Sequence, residues 1–150
     1  MTKPVIDPPS KSRSYNMSQI RGKDTKPEEI VRKFLFSKGF RYRKNVAALP
    51  GKPDIVLSKY HTVIFVNGCF WHRHEGCKYF VWPKHNQEFW KEKIESNVTR
   101  DHRNHDALHQ AGWNVIDIWE CELKTNNRKE TLEALMVELR EDAEYDKASG

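Results

Sequence analysis

Residues 54–77 read DIVLSKYHTVIFVNGCFWHRHEGC, and this stretch predicts the centre of the fold. Its two apolar runs, residues 54–58 and 61–66, are short and rich in β-branched residues, which is typical of buried strands. The link between them is short enough for a hairpin. Two cysteines, two histidines and two aromatic residues then fall within residues 69–77. So many metal-binding and aromatic groups after a strand indicate a functional site at that end of the sheet.

Helical patterns flank this hairpin on both sides. Within residues 24–39, Thr25 and Glu28 fit a capping box ahead of an apolar stripe. Residues 86–110 place their apolar side chains at spacings of three and four, which predicts one long helix. An acidic final helix is expected near residues 130–144.

Two further strands complete the predicted sheet. Residues 40–46 alternate between polar and non-polar side chains, and residues 113–119 form another apolar run. The order helix, three strands, helix, strand, helix predicts an α/β fold in which helices flank a mixed sheet. A length of 150 residues suits one compact domain. We therefore divide the chain into a flexible basic N-terminal arm, residues 1–16, and a single domain, residues 17–150.

Charge is unevenly distributed along the chain. Residues 1–53 carry thirteen Lys or Arg and four Asp or Glu, a net +9, whereas residues 54–150 carry a net −4. A basic first third indicates a polyanion partner, most simply nucleic acid, and a solubilising surface is the alternative. The sequence contains neither a run of eighteen apolar residues nor a signal-peptide core, so we expect a cytoplasmic protein without a membrane partner.

Three cysteines and one histidine form a candidate metal site. Cys69, His74 and Cys77 share one loop, whereas Cys121 follows the last predicted strand and could join them only through the fold. Three thiolates and an imidazole are the soft tetrahedral set that Zn²⁺ favours, and four protein ligands make a closed structural site. The odd number of cysteines argues against a disulfide framework. Three unconnected buried cysteines are the alternative.

The candidate catalytic groups are carboxylates and one leftover imidazole. Asp54 opens a strand after a Gly-Lys-Pro turn, where it could hold a hard cation such as Mg²⁺ or serve only the turn. Asp101 falls on the apolar stripe of the long helix, and a buried carboxylate needs a partner such as the His72 imidazole. Alternatively, Asp101 lies at the edge of the stripe and His72 at the surface. Helix capping alone accounts for Glu28.

Aromatic residues surround the candidate metal site. Phe70 and Trp71 lie inside the loop, and Trp90 begins the long helix. Exposed aromatic side chains can wedge between base pairs and unstack them, although most aromatic residues belong to the core. Both interpretations stay open for these three residues.

Five stretches of the chain resemble the very-short-patch-repair (Vsr) DNA mismatch endonucleases. They lie in family order over about residues 14–123 and read SYNMSQIRGKDTKPE, LPGKPDIVL, VIFVNGCFWHRHEGC, EFWKEKIESNVTRD and GWNVIDIWECEL. The GCFWHxH block followed by WEC is highly specific. The resemblance implies a restriction-endonuclease-like fold. It also implies Mg²⁺-dependent nicking of duplex DNA 5′ to the thymine of a T·G mismatch, which arises when 5-methylcytosine deaminates.

The resemblance further implies roles for individual residues. Asp54 and the backbone carbonyl of Val66 would hold catalytic Mg²⁺. His72 would act as the general base, Asp101 would orient and stabilise it, and Glu28 would help through metal-bound water. The implied structural zinc ligands are Cys69, His74, Cys77 and Cys121. The residues expected to contact DNA are Phe70, Trp71, Trp90, Met17, Arg21 and Asn97.

The chain departs from the usual pattern of this fold at two places. Restriction-type nucleases carry an acidic residue and a lysine on the second strand, whereas residues 65–67 read FVN, so His72 must take the place of the lysine. One extra residue separates His74 from Cys77. Both departures fall in the segment that would carry the chemistry.

Two other functions stay open at this point. One is a restriction-type or junction-cutting nuclease on the same fold, and the other is a non-catalytic, zinc-stabilised DNA-binding domain. The presence of Asp54, His72 and Asp101 together argues against the second, because binding alone needs none of them. Strand-specific nicking is consistent with a monomer. Besides duplex DNA, candidate partners are a cytosine-5 methyltransferase system and general repair proteins.

Overall fold

The computed structural model describes residues 25–149, with side chains described for residues 25–141. The predicted arm, residues 1–16, lies outside the described residues, as do Met17 and Arg21. Over residues 25–149 the chain forms a four-stranded mixed sheet with three α-helices, in the predicted order. None of these helices combines the length and the apolar character needed to cross a membrane.

The sheet has its strands side by side in chain order. β1 (Arg43–Lys44), β2 (Ile55–Leu57) and β3 (Thr62–Asn67) are successively antiparallel, whereas β4 (Asn114–Trp119) is parallel to β3. A single 3₁₀ turn, Ser58–Tyr60, joins β2 to β3, which confirms the predicted hairpin. The start of β2 and the ends of β3 and β4 therefore meet at one edge of the sheet.

The first strand, β1, is shorter than the predicted span 40–46. Asn45 has a φ of 51°, which takes the backbone out of the extended form directly after Lys44. The Asn45 amide still donates to the Asp54 carbonyl at 3.0 Å. This bend therefore ends the strand and holds the backbone of Asp54 at the entrance to β2.

The helices cover both faces of the sheet. α1 (Lys26–Ser37) and α3 (Arg128–Ser149) pack on one face, and α2 (Gln87–Gln110) packs on the other. α3 starts two residues before the predicted 130–144 span and ends five residues after it. Strand side chains alternate between the two faces, and apolar side chains on each face form a core. The larger core contains Val31, Leu35, Ile55, Leu57, Ile64, Ile116, Ile118, Leu132, Leu135 and Leu139, and the smaller one contains Val56, Val63 and Leu108.

The start of α1 corrects the prediction that capping alone accounts for Glu28. Thr25 is the N-cap residue, but its hydroxyl donates to the Glu28 carboxylate at 2.9 Å, and its side chain makes no cap hydrogen bond. Glu28 is only 3% exposed and pairs with Arg32 at 3.5 Å. The Glu28 carboxylate is thus turned into the protein, where its charge raises the pKa of Asp54.

Candidate active site and metal centre

Asp54 is attached to the end of β3 by a hydrogen bond. The Val66 amide donates to Oδ2 of Asp54 at 2.7 Å. Burial raises the pKa of Asp54 to about 7, and the nearby Glu28 carboxylate adds to the rise, although the Val66 hydrogen bond opposes it. Carboxylates that repel each other in a partly buried place are a donor set that a hard cation would stabilise, so these residues fit Mg²⁺. The contact made by Val66 uses its amide, and a role for its carbonyl stays a prediction.

His72 and Asp101 make the contact that the sequence predicts for the helix carboxylate. Nδ1 of His72 lies 2.5 Å from Oδ2 of Asp101. The two side chains are 31% and 32% exposed, so Asp101 lies at the edge of the apolar stripe rather than beneath it. Because the carboxylate engages Nδ1, Nε2 is the nitrogen that can take a proton from a substrate or water. This geometry is that of a general base oriented by a carboxylate.

The loop after β3 directs its two histidines to different places. The His72 amide donates to the Gly68 carbonyl at 3.2 Å, and the His74 amide donates to the Cys69 carbonyl at 3.0 Å. Between the histidines, Arg73 has a φ of 48°, which turns the chain sharply. His72 therefore reaches α2, whereas His74 reaches the end of β4.

The four predicted metal ligands come together in the fold. The ligand atoms of Cys69, His74, Cys77 and Cys121 all lie within 4.8 Å of one another. A tetrahedral ion with bonds of about 2.0–2.3 Å holds its ligand atoms about 3.3–3.8 Å apart, so a small inward shift of these side chains would suit one. Cys121 reaches the loop because β4 is parallel to β3 and ends beside it. Its amide donates to Sγ of Cys69 at 3.4 Å, and its own Sγ lies 3.4 Å from Nδ1 of His74.

The surroundings of these ligands also suit a bound cation. Cys69 is 1% exposed, and burial raises the pKa of its thiol to about 12. A metal ligand must be a thiolate, so the positive charge of an ion would stabilise the deprotonated form. The His74 ring stacks on Trp119 with a centroid distance of 4.1 Å, which fixes its orientation. The extra residue before Cys77 is absorbed in a turn in which Gly76 has a φ of 74°. This Cys₃His group could hold a metal ion.

Three aromatic residues form a cluster beside the His72–Asp101 pair. The ring centroids of Phe70, Trp71 and Trp90 lie 5.5 to 5.9 Å apart, and all three side chains are half-buried. Asn97 supports this cluster from α2, because its Nδ2 donates to the Trp71 carbonyl at 3.0 Å. Asn97 is 9% exposed, so a direct contact between its side chain and DNA stays a prediction.

The structure also contains a second imidazole–carboxylate pair that the sequence predictions omit. Nε2 of His105 lies 3.4 Å from Oδ1 of Asp117, and Nδ2 of Asn67 donates to the same oxygen at 3.1 Å. Two signals could have revealed it. His105 follows Asp101 by four residues on one helix face, and Asp117 is a lone charge in the apolar run WNVIDIW.

Comparison with known proteins identifies the family. The model of the family "DNA mismatch endonuclease Vsr" matches residues 5–78. The type II nicking enzyme V.NmeAIP of Neisseria meningitidis is 52% identical over 130 residues, which cover 86% of this chain and 92% of that protein. The type II nicking enzyme V.XorIIP of Xanthomonas oryzae is 48% identical over 111 residues, or 74% and 81% of the two chains.

A further relative carries the family name itself. The DNA mismatch endonuclease Vsr of Escherichia coli is 44% identical over 130 residues, which cover 87% of this chain and 82% of that protein. The mixed sheet between helices agrees with the restriction-endonuclease-like fold of the family. The chain therefore belongs to the Vsr family of DNA mismatch endonucleases, and it is an endonuclease that acts on DNA.

Proposed function

We propose that this protein nicks duplex DNA 5′ to the thymine of a T·G mismatch and so starts the repair of deaminated 5-methylcytosine. The observation that carries the proposal is the His72–Asp101 contact of 2.5 Å near the half-buried Asp54. DNA binding alone needs no oriented imidazole next to a carboxylate with a raised pKa. Phosphodiester hydrolysis needs a general base and a way to neutralise charge on the phosphate.

Each catalytic group has a separate task in the proposed reaction. Nε2 of His72 accepts the proton of the attacking water while Asp101 holds the ring and stabilises the imidazolium. Asp54 and the Val66 carbonyl would hold Mg²⁺, and Glu28 would assist at that ion. When bound, Mg²⁺ supplies Lewis-acid stabilisation of the charge that develops on the phosphate. Zn²⁺ is the ion proposed for the Cys₃His group, where it shapes the loop that carries His72.

In the proposed function, the aromatic cluster recognises the mismatch. Phe70, Trp71 and Trp90 are proposed to insert beside the T·G pair, with Met17 and Arg21 contacting the duplex from the N-terminal segment. A mismatched step is already weakly paired, so unstacking it costs less than unstacking a matched step. Asn97 holds the Trp71 backbone in place through its hydrogen bond to the Trp71 carbonyl. We further propose that the protein acts as a monomer, beside a cytosine-5 methyltransferase system and general repair proteins.

A second candidate function is restriction-type nicking of matched DNA. It is favoured by the names of two relatives, which are called type II nicking enzymes. The same catalytic groups would serve that reaction. The two functions differ only in whether the aromatic cluster requires a mismatch before the phosphate is engaged.

The proposal is tested by measuring the position of the cut and which strand is cut. A duplex with one T·G pair is labelled on either strand, incubated with the zinc-loaded protein and Mg²⁺, and resolved at single-nucleotide spacing. The proposal predicts one cut, 5′ to the mismatched thymine, which is lost with His72→Ala. Cuts on both strands or away from the thymine would contradict it. Cleavage that His72→Ala leaves unchanged would remove His72 from the mechanism.

A further inference from the structure

A carboxylate lies on each side of the last two residues of β3. On the β2 side, Asp54 accepts the Val66 amide at 2.7 Å. On the β4 side, Asp117 accepts the side-chain amide of Asn67 at 3.1 Å. The two tethered residues are consecutive, so both neighbouring strands hold the end of β3 directly before the loop. Asp54 has a role in the proposed reaction, whereas no role is assigned to Asp117.

His105 completes the arrangement around Asp117. Its Nε2 lies 3.4 Å from the same carboxylate oxygen that Asn67 contacts. The His105 ring also packs on Phe65, with a centroid distance of 5.2 Å, and Phe65 is the β3 partner of Asp117. One carboxylate on β4 thus joins a residue of β3 to a residue of α2. Asn67 is 8% exposed, so its side chain has little space for another rotamer.

This group is linked to the catalytic pair through the backbone and through α2. The His72 amide donates to the carbonyl of Gly68, the residue after Asn67. A shift of Asn67 therefore moves the turn that carries His72. On the helix, Asp101 and His105 are four residues apart and share one face. The His72–Asp101 pair and the His105–Asp117 pair are therefore both joined to the end of β3 and to α2.

The electrostatics agree with this coupling. Desolvation acts to raise the pKa of Asp117, whose side chain is 32% exposed, but its contacts with His105 and Asn67 hold that pKa below the usual value, and His72 acts in the same direction. The hydrogen bond to Asp117 raises the pKa of His105, and Asp101 and Asp106 add to the rise. Asp117 is therefore an anion in the working range of pH, and it can accept both contacts at once.

We propose that Asp117, held by His105, is a positioning residue for the nicking reaction: it fixes the Asn67 side chain, and Asn67 fixes the turn that aims His72 at the scissile phosphate. The inference rests on the proposed nicking reaction, but not on its preference for T·G. A clamp that merely attaches α2 to the sheet is the competing explanation. That clamp would change stability, whereas a positioning residue changes the rate in folded protein.

An exchange of the two partners tests the proposal. Asn67→Asp alone places two carboxylates at hydrogen-bond distance and should lower the single-turnover nicking rate at saturating protein by about a hundredfold. Adding Asp117→Asn restores an amide–carboxylate contact with the original net charge. The double variant should therefore recover to within about fivefold of the wild-type rate. The control is Asn114→Asp, which adds the same charge at an exposed position of β4 and should leave the rate within about twofold of wild type.

Zinc content and unfolding temperature are measured for every variant in this series. Rescue by the exchange in folded, zinc-loaded protein is the expected result. An unrescued rate at wild-type stability would overturn the positioning role and leave the proposed function intact. Rates that fall only in parallel with unfolding temperature would establish the clamp instead.

A second measurement does not depend on nicking. The side-chain amide protons of Asn67 should exchange with solvent at least about tenfold faster in Asp117→Ala than in wild type. Unchanged exchange would overturn the contact on which the inference stands. A wild-type protein that cuts no duplex, but in which Asn67 is protected, would locate the failure in the proposed function.

Discussion

The His72 imidazole and the Asp101 carboxylate meet at 2.5 Å although the two residues are 29 positions apart in the chain. The loop after β3 supplies one partner and the middle of α2 supplies the other. The contact therefore exists only when the loop and the helix are both in place. It links the shape of the metal loop directly to the chemistry proposed for the site.

Replacing His72 tests the general base. We expect His72→Ala to lower the nicking rate by about 10²- to 10⁴-fold, because proton transfer by a positioned side chain contributes about that much. Duplex affinity should stay within about threefold of wild type, since Nε2 acts on the attacking water. Single-turnover cleavage and equilibrium binding measure the two effects separately. His102→Ala is the control, since this histidine is exposed on α2 beside Asp101. A parallel loss of binding would count against the role.

Asp54 gives the protein a pH-dependent stability in the absence of added Mg²⁺. Its pKa of about 7 in the fold exceeds the ordinary value of 3.8, so the folded state favours the protonated carboxyl. The stabilisation that the protonated Asp54 carboxyl contributes is fully present below the ordinary pKa of 3.8 and is lost as pH rises through about 7. Over this range the loss is at most about 4 kcal/mol, from about 1.4 kcal/mol for each pKa unit.

Denaturant titrations of wild type and Asp54→Asn measure that loss. We expect the variant to gain stability over wild type as pH rises from about 4 to about 8, across the range between the ordinary and the raised pKa, and to lose nicking activity. Glu95→Gln removes an exposed carboxylate of α2 and serves as the control. Parallel curves for wild type and Asp54→Asn would show that Asp54 ionises normally.

Removing one ligand tests the metal centre. We expect Cys121→Ser to lose bound zinc and to lower the unfolding temperature by roughly 10 °C, which corresponds to about 3 kcal/mol for a chain of this size. Elemental analysis and thermal unfolding provide the readouts. His85→Gln changes an exposed histidine outside the cluster and should retain the ion. A wild-type protein that is folded and free of zinc would refute the site.

The aromatic cluster should distinguish mismatched from matched DNA. We expect Trp71→Ala to weaken binding of a T·G duplex by about tenfold, because stacking on a base contributes about 1–3 kcal/mol. Binding of the matched duplex should change less, since its bases stay stacked. The control, Phe36→Ala, removes an aromatic side chain that is 63% exposed on α1. Equal losses for both duplexes would exclude selective insertion at the mismatch.

Local pattern was sufficient to predict the hairpin and α2. Residues 54–66 carry the strand signal in short β-branched runs, and residues 86–110 carry the helical period over six turns. The metal set could also be predicted, because three cysteines and one histidine form a chemically complete group. The end of β1 could not, since the positive φ of Asn45 is a local backbone choice without a periodic signal.

Contacts between strands were beyond such patterns. The convergence of Asn67 and His105 on Asp117 depends on the register of β3 against β4, which periodicity does not provide. Glu28 is a similar case, because its first-turn position satisfies a capping rule while burial decides where the carboxylate points. These side chains lie at the edge of the sheet that carries the candidate active site. There, tertiary packing rather than local sequence preference decides where a side chain points.

Three duplexes that differ in one base pair test mismatch-specific nicking most directly. Zinc-loaded protein and Mg²⁺ are added to end-labelled duplexes with T·G, T·A or C·G at one position, in several flanking sequences. We expect cutting of the thymine strand in T·G duplexes, with a rate at least about a hundredfold above that on either matched pair. Equal cutting of matched DNA would contradict mismatch-specific nicking and would assign the protein to the restriction-type reaction.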